Sequence, residues 1–239
     1  MSALHPVLIS ADAPEAAGAV PVRFIGSDAA VAETAGDWAA LNGFVGKPGQ
    51  LVLVPGADGA LDHVLVGVGK SFDPMSARGL AGKLPTGLYR LEAETEDAVK
   101  AALAFALGTY VFDRYKDKSD RQRPRLVAPQ GLDLDETLRI AAACELAREM
   151  IDTPAADMGP LQIETIAREI AEAHKAAFAV TTGDALLEAN YPVVHAVGRA
   201  AAPHRAPRLI EIGWNLDKTD LPLVALVGKG VVFDTGGLD

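Results

Sequence analysis

Two side chains near the carboxyl end of the chain have the types and spacing for chemistry: Lys229, held between Gly228 and Gly230, and Asp234, followed by Thr235-Gly236-Gly237. Side chains five positions apart on a straight strand point to opposite faces. An amine at 229 and a carboxylate at 234 therefore converge only if the backbone turns between them. The flanking glycines permit that turn and let another backbone, a ligand or an ion approach closely. An apolar run from Leu221 to Val227 precedes the pair and reads as a buried strand, so the pair is expected at the mouth of a core.

Three chemistries compete for this stretch. A phosphate-binding loop needs G-x-x-x-x-G-K-[ST], but Leu223 stands where its leading glycine belongs and Gly230 stands where Ser or Thr belongs. A Lys–Asp ion pair closing a strand leaves the four glycines unexplained. The third reading comes from resemblance to a known family.

The segment Gly-Lys-Gly-Val-Val-Phe-Asp-Thr-Gly-Gly-Leu, residues 228–238, resembles the first metal-binding motif of the leucyl (cytosol) aminopeptidase family, V-G-K-G followed by F-D-[ST]-G-G-[LIY]. The resemblance implies that Lys229 ligates one metal and Asp234 contacts both ions of a two-metal site, manganese or zinc. It further implies hydrolysis of the first peptide bond of substrates with a free amino terminus, and a homo-hexamer. The family's later motifs, with the remaining ligands and the catalytic lysine and arginine, have no match among the 239 residues. No catalytic residue is therefore expected within this chain. The expectation is the amino-terminal portion of a longer enzyme, inactive by itself.

The elements that must position these residues read as α/β. Val20–Ile25, Gln50–Val54, His63–Val68, Gly87–Glu92 and Arg125–Ala128 have strand composition, and Ala29–Leu41 and Glu96–Tyr110 have helical composition. In the second helix, Val99, Leu103, Ala106, Leu107 and Tyr110 form the predicted inward stripe. The run Thr109 to Lys116 also resembles the end of the same family's first domain. Gly67-Val-Gly-Lys-Ser71 lacks a leading glycine and reads as a strand-end turn rather than a nucleotide loop.

A helix over 134–151 follows, capped by Asp133, with Leu134, Leu138, Ala142, Leu146 and Met150 stacked four apart and Cys144 beside them as a small core residue. The stretch Asp152-Thr-Pro-Ala-Ala-Asp-Met-Gly-Pro160 resembles the family's N-x-P-x-N-x-x-x-P, with Asp at 152 and 157 in place of Asn. Leu161–Ala177 is amphipathic, with Glu164 and Arg168 on its outward face. Phe178–Thr181, Val193–Val197 and Arg208–Ile212 read as strands and Asp184–Asn190 as a short helix. That order favours a largely parallel sheet with crossover helices. His195, inside the middle strand, is expected to be structural.

These readings place an amino-terminal α/β domain at 1–130, a connecting helix at 131–153 and the incomplete start of a mostly parallel-sheet aminopeptidase domain at 154–239. By resemblance, the first domain is macro-like. The runner-up is a non-catalytic α/β module that binds a peptide or nucleotide.

Composition narrows the alternatives. A net charge of −10 argues against general binding to nucleic acid or anionic membranes. Residues 113–125 hold six basic and three acidic side chains, which reads as a solvated face. One cysteine cannot form an intramolecular disulfide and fits a reducing compartment. With no basic, apolar leader at 1–10 and no long apolar span, the expectation is a cytoplasmic protein. No H-E-x-x-H or G-x-S-x-G occurs, which removes zincin and serine-hydrolase chemistry at motif level.

Overall fold

A computed structural model of the chain describes residues 7–27, 31–116 and 123–232. The chain divides into two compact units, 1–149 and 150–239.

The first unit is a six-stranded mixed sheet in the order β1-β6-β5-β2-β4-β3, built from β1 (Leu8–Ile9), β2 (Val20–Gly26), β3 (Leu51–Pro55), β4 (Leu61–Gly69), β5 (Leu88–Glu92) and β6 (Arg125–Val127). All neighbouring pairs are parallel except β3 on β4, which form an antiparallel hairpin across Gly56–Ala60. Four helices accompany it: α1 (Val31–Leu41), α2 (Leu80–Lys83), α3 (Thr95–Gly108) and α4 (Leu134–Asp152), whose last three residues fall in the second unit. Ala29 and Ala30, the start of the first predicted helix, lie outside the described residues, and α1 breaks at Gly36, where φ is 67°.

Two clusters hold the sheet. Val22, Val64, Leu8, Tyr89 and Leu126 pack with Phe105 of α3 on one side. Ile25, Val52, Val54 and Leu65 pack with Ala39 of α1 and Phe44 on the other. The inward stripe of α3 differs from the sequence expectation. Ala98, Ala101, Ala102 and Phe105 are buried, whereas Val99 and Leu103 are only partly so. Small side chains win this face because the neighbouring 74–79 turn lies very close: a Cβ at Gly108 would sit 2.1 Å from the Arg78 carbonyl oxygen. The predicted cap of α4 is present, with the Glu136 amide donating to Asp133 Oδ1 at 2.9 Å.

The second unit contains α5 (Pro160–Ala173), β7 (Ala177–Thr182), α6 (Ala185–Glu188), α7 (Pro192–Gly198) and β8 (Arg208–Gly213). Two sequence expectations are corrected here. Val193–Val197 is helical, because Pro192 occupies the first turn of α7 after Asn190, at φ 63°, has ended the preceding segment. A five-residue apolar run does not distinguish strand from helix, and the proline decides it. With that strand gone, β7 and β8 pair directly and antiparallel, Val180 opposite Ile210, in place of the predicted parallel pairing of these segments.

The third correction concerns the run leading to Lys229. Residues 222–231 have no regular secondary structure, and Leu226 and Val227 are 95% and 96% exposed, so this run is not a buried strand among the described residues. A strand requires a hydrogen-bonding neighbour. Within the described second unit, the only paired strands are β7 and β8.

Candidate functional site

Lys229 lies on this irregular, solvent-exposed segment between Gly228 and Gly230, neither of which has a neighbour that a Cβ would meet within 4 Å. Asp234 lies outside the described residues. The structure therefore describes one member of the predicted pair, and its glycines are free of packing constraint. Among the described residues no group of three or more His, Cys, Asp or Glu side chains is placed to hold a metal ion.

The segments before Lys229 are ordered by arginines that sequence reasoning missed. Arg205, in the turn between Pro203 and Pro207, donates to the Ala155 and Ala156 carbonyls at 2.8 and 2.6 Å and so fixes the Asp-Thr-Pro-Ala-Ala-Asp stretch. Gln162 reaches back to the Gly159 amide at 3.0 Å and closes the start of α5, where Pro160 occupies the first turn. Prolines on both sides of Arg205 were the available signal, since they stiffen the turn that aims it.

Glu164 is not on a solvated face. Its side chain is 13% exposed and pairs with Arg168 at 2.8 Å one turn later and with Arg208 at the start of β8. Arg168 in turn lies over the Phe178 ring of β7, 4.3 Å from its centre. Burial works to raise the Glu164 carboxyl. The hydrogen bonds and charges of Arg168 and Arg208 outweigh it and hold the group below the usual carboxylate range. The i, i+4 spacing of Glu164 and Arg168 was legible; the third partner, 44 residues away, was not.

His195 is on α7 rather than within a strand, and its Nε2 is 3.0 Å from Asp184 Oδ1. The pair borders a recess of about 300 Å³ lined also by Arg199, Ala201 and Pro207. The contact ties α7 to the turn after β7, and the element is a helix rather than the predicted strand.

In the first unit the carboxyl ends of β2 and β4, where an α/β sheet commonly receives ligands, are covered by the chain itself. The Gly69 amide donates to the Gly46 carbonyl, and Ser27 donates to the Gly69 carbonyl, both at 2.8 Å. A Cβ on Gly67 would sit 2.2 Å from the Lys47 carbonyl oxygen, and Gly46 is at φ 70° with its Cβ position 2.6 Å from the Gly26 carbonyl oxygen. The Gly67–Ser71 turn thus closes on the 46–48 segment, as a strand-end turn does and a nucleotide loop does not.

Comparison with known proteins gives two family matches in chain order: the M17 aminopeptidase N-terminal domain over residues 26–129, and the cytosol aminopeptidase family catalytic domain over residues 145–239. The chain is similar to a probable cytosol aminopeptidase of Streptomyces griseus, 26% identical over 92% of this chain and 48% of that protein. It is similar to another from Wolinella succinogenes, 31% identical over 82% of this chain and 44% of the relative. Among solved structures, the cytosol aminopeptidase from Coxiella burnetii superposes with a TM-score of 0.74 at 28% identity, covering 87% of this chain and 46% of its own. The bottromycin maturation enzyme BotP in complex with Mn superposes with a TM-score of 0.67 at 30% identity, over 81% and 44%. The chain spans about half the length of the curated relatives it matches.

Proposed function

Because the chain belongs to the M17, or leucyl (cytosol), aminopeptidase family, we propose that it serves a metal-dependent aminopeptidase that releases amino-terminal residues from peptides. The observation that carries the reading is the intact Gly228-Lys229-Gly230…Asp234-Thr235-Gly236-Gly237 stretch inside the region matched to the catalytic domain. On this reading Lys229 offers a neutral amine and Asp234 a carboxylate to a pair of divalent ions, manganese or zinc. BotP, a structural relative, is described with Mn.

Such ions, when bound, polarise a peptide carbonyl and lower the pKa of bound water. Lys229, exposed and with Asp234 undescribed, does not amount to a metal site among the described residues. The family's later motifs, to which the resemblance assigns the remaining donors, have no match among the 239 residues. We further assign residues 1–130 to an amino-terminal, macro-like domain, 131–153 to a connecting helix and 154–239 to the first part of the catalytic domain. A cytoplasmic hexamer acting on peptides with free amino termini is the corresponding assembly. No described helix is long and apolar enough to cross a membrane.

The test is turnover of leucine p-nitroanilide with Mn²⁺ by the product of the complete reading frame that carries this sequence. Lys229→Ala and Asp234→Ala should each lower kcat/KM by about a hundredfold or more and reduce bound metal, whereas the 239-residue chain should show no turnover. Full activity in both variants, or turnover by the 239-residue chain, would overturn the assignment.

A further inference from the structure

The β3 strand is one edge of the six-stranded sheet. Its pairing with β4 sets which backbone groups face outward. The Gly67 amide donates to the Gln50 carbonyl, and the register runs Leu51 opposite Val66, Val52 opposite Leu65 and Leu53 opposite Val64. In an antiparallel ladder the hydrogen-bonded and non-hydrogen-bonded pairs alternate, so Gln50, Val52 and Val54 bond to β4. Leu51 and Leu53 then direct their N–H and C=O groups away from the sheet. Pro55, next in the outward row, has no N–H to offer. An outward row of this kind is a template for strand addition by another chain.

Among the described residues, one side chain hydrogen-bonds to this row. Trp38, on the short turn of helix after the Gly36 break, donates its indole Nε1–H to the Leu53 carbonyl at 2.9 Å. Its ring, with Leu53, Pro55, Gly59, Ala60 and Leu61, lines an apolar recess of about 290 Å³ beside the strand. Trp38 is 45% exposed and Leu53 37% exposed, so the indole sits over the edge rather than inside the core. Indole N–H is a donor only, and the acceptor it takes is the central outward carbonyl of the strand.

We propose that Trp38 is an edge guard: it occupies the Leu53 carbonyl and covers the outward side of β3, and so blocks antiparallel pairing of this strand with β3 of a second copy of the chain. The guard needs both the donor and the bulk. The Gly36 break, at φ 67° and ψ 178°, is what turns the helix so that position 38 reaches the strand.

A cysteine trap tests this. In a symmetric antiparallel pair centred on Leu53, the two Leu53 Cα atoms would lie about 5.5 Å apart, within disulfide range. The chain carries Cys144→Ala, so that Leu53→Cys supplies its only thiol, and is compared with the same chain bearing Trp38→Ala or Trp38→Phe, under mild oxidation. A control series puts the cysteine at Asp58, in the exposed hairpin turn. The guard predicts that disulfide-linked dimer at position 53 forms at least tenfold faster with Trp38→Ala than with Trp38, that Trp38→Phe falls between, and that the Asp58 series is unchanged. Equal rates at position 53 with and without the indole would overturn the proposal, as would an equal rise at positions 53 and 58, which marks general exposure. Should Trp38→Ala fail to fold, Trp38→Phe against the parent decides the matter instead, because it keeps an aromatic ring and removes the donor.

Discussion

The two units solve the same problem of apolar sequence in different ways. In the first, strands β2, β4 and β5 lie between neighbours, and Val22, Val64, Leu65, Tyr89 and Phe105 are at most 1% exposed. In the second, among the described residues, the buried apolar side chains are Met158, Ala171 and Leu186, while Ile212, Trp214, Leu216 and the run from Leu221 to Val227 face solvent. Hydrophobic runs of similar composition are thus buried in one unit and bare in the other. Burial of a strand depends on having neighbours on its edges and faces, and apolar content alone does not supply them.

The largest effect that would break this comparison is in the core of the first unit. Phe105→Ala should destabilise that unit by about 3–5 kcal/mol, because a fully buried ring leaves a cavity that the adjoining alanines cannot fill. Leu226→Ala, the corresponding apolar truncation on the exposed run, should change stability by no more than about 0.5 kcal/mol. Amide hydrogen exchange reads the two units separately, through residues 88–92 and 101–106 for the first and 177–182 for the second. Comparable losses from the two substitutions would show that the run is packed after all.

The same contrast explains what the sequence made legible. Elements with local signals were readable: β2 and β4 from their apolar runs, α4 from the Asp133 cap, and α5 from Pro160 and its amphipathic stripe. Features settled by distant chain were not. The face α3 buries depends on how closely the 74–79 turn approaches Gly108. The burial of Glu164 depends on Arg208; the helical state of Val193–Val197, by contrast, has its signal in the adjacent Pro192. The candidate site divides the same way. Residue types and spacing at Lys229 and Asp234 are local and carried the family, whereas the convergence of these side chains requires surroundings that residues 222–231 do not have among the described atoms.

A second prediction probes the ordering of the second unit. Glu164→Ala leaves Arg208, whose side chain is 7% exposed, without its carboxylate and should cost about 3 kcal/mol near neutral pH. Since the folded-state value of Glu164 is depressed, its contribution is fully present above the ordinary carboxylate range and is lost as pH falls through the lower folded value. The difference in Tm between parent and variant should therefore shrink below about pH 4. A difference that stays constant from pH 7 to pH 3 would mean that Glu164 acts through packing alone.

The smallest effect uses a second half-buried carboxylate, Glu145 on α4, which responds in the opposite direction. Burial raises its carboxyl first of all; the Arg123 charge pulls it down, Glu149 and Asp113 push it up, and Arg148 pulls it down again. The arginines are committed elsewhere as well, Arg148 to the Leu107 carbonyl at 2.5 Å and Arg123 to the Thr109 carbonyl at 2.6 Å. Charge that Glu164 receives from two partners is thus shared, at Glu145, with the end of α3. A group whose folded value is raised destabilises the fold when ionised, so stability falls as pH rises from the unfolded value through the folded one. Glu145→Gln should accordingly stabilise the first unit at pH 7, by no more than about 0.5 kcal/mol once solvent screening is allowed for, and the gain should vanish below about pH 4. Denaturant titrations at pH 7 and pH 3.5 measure it. A loss of stability at pH 7 would show that the Arg123 and Arg148 charges outweigh burial, and that the carboxylates of the two units are held in the same way.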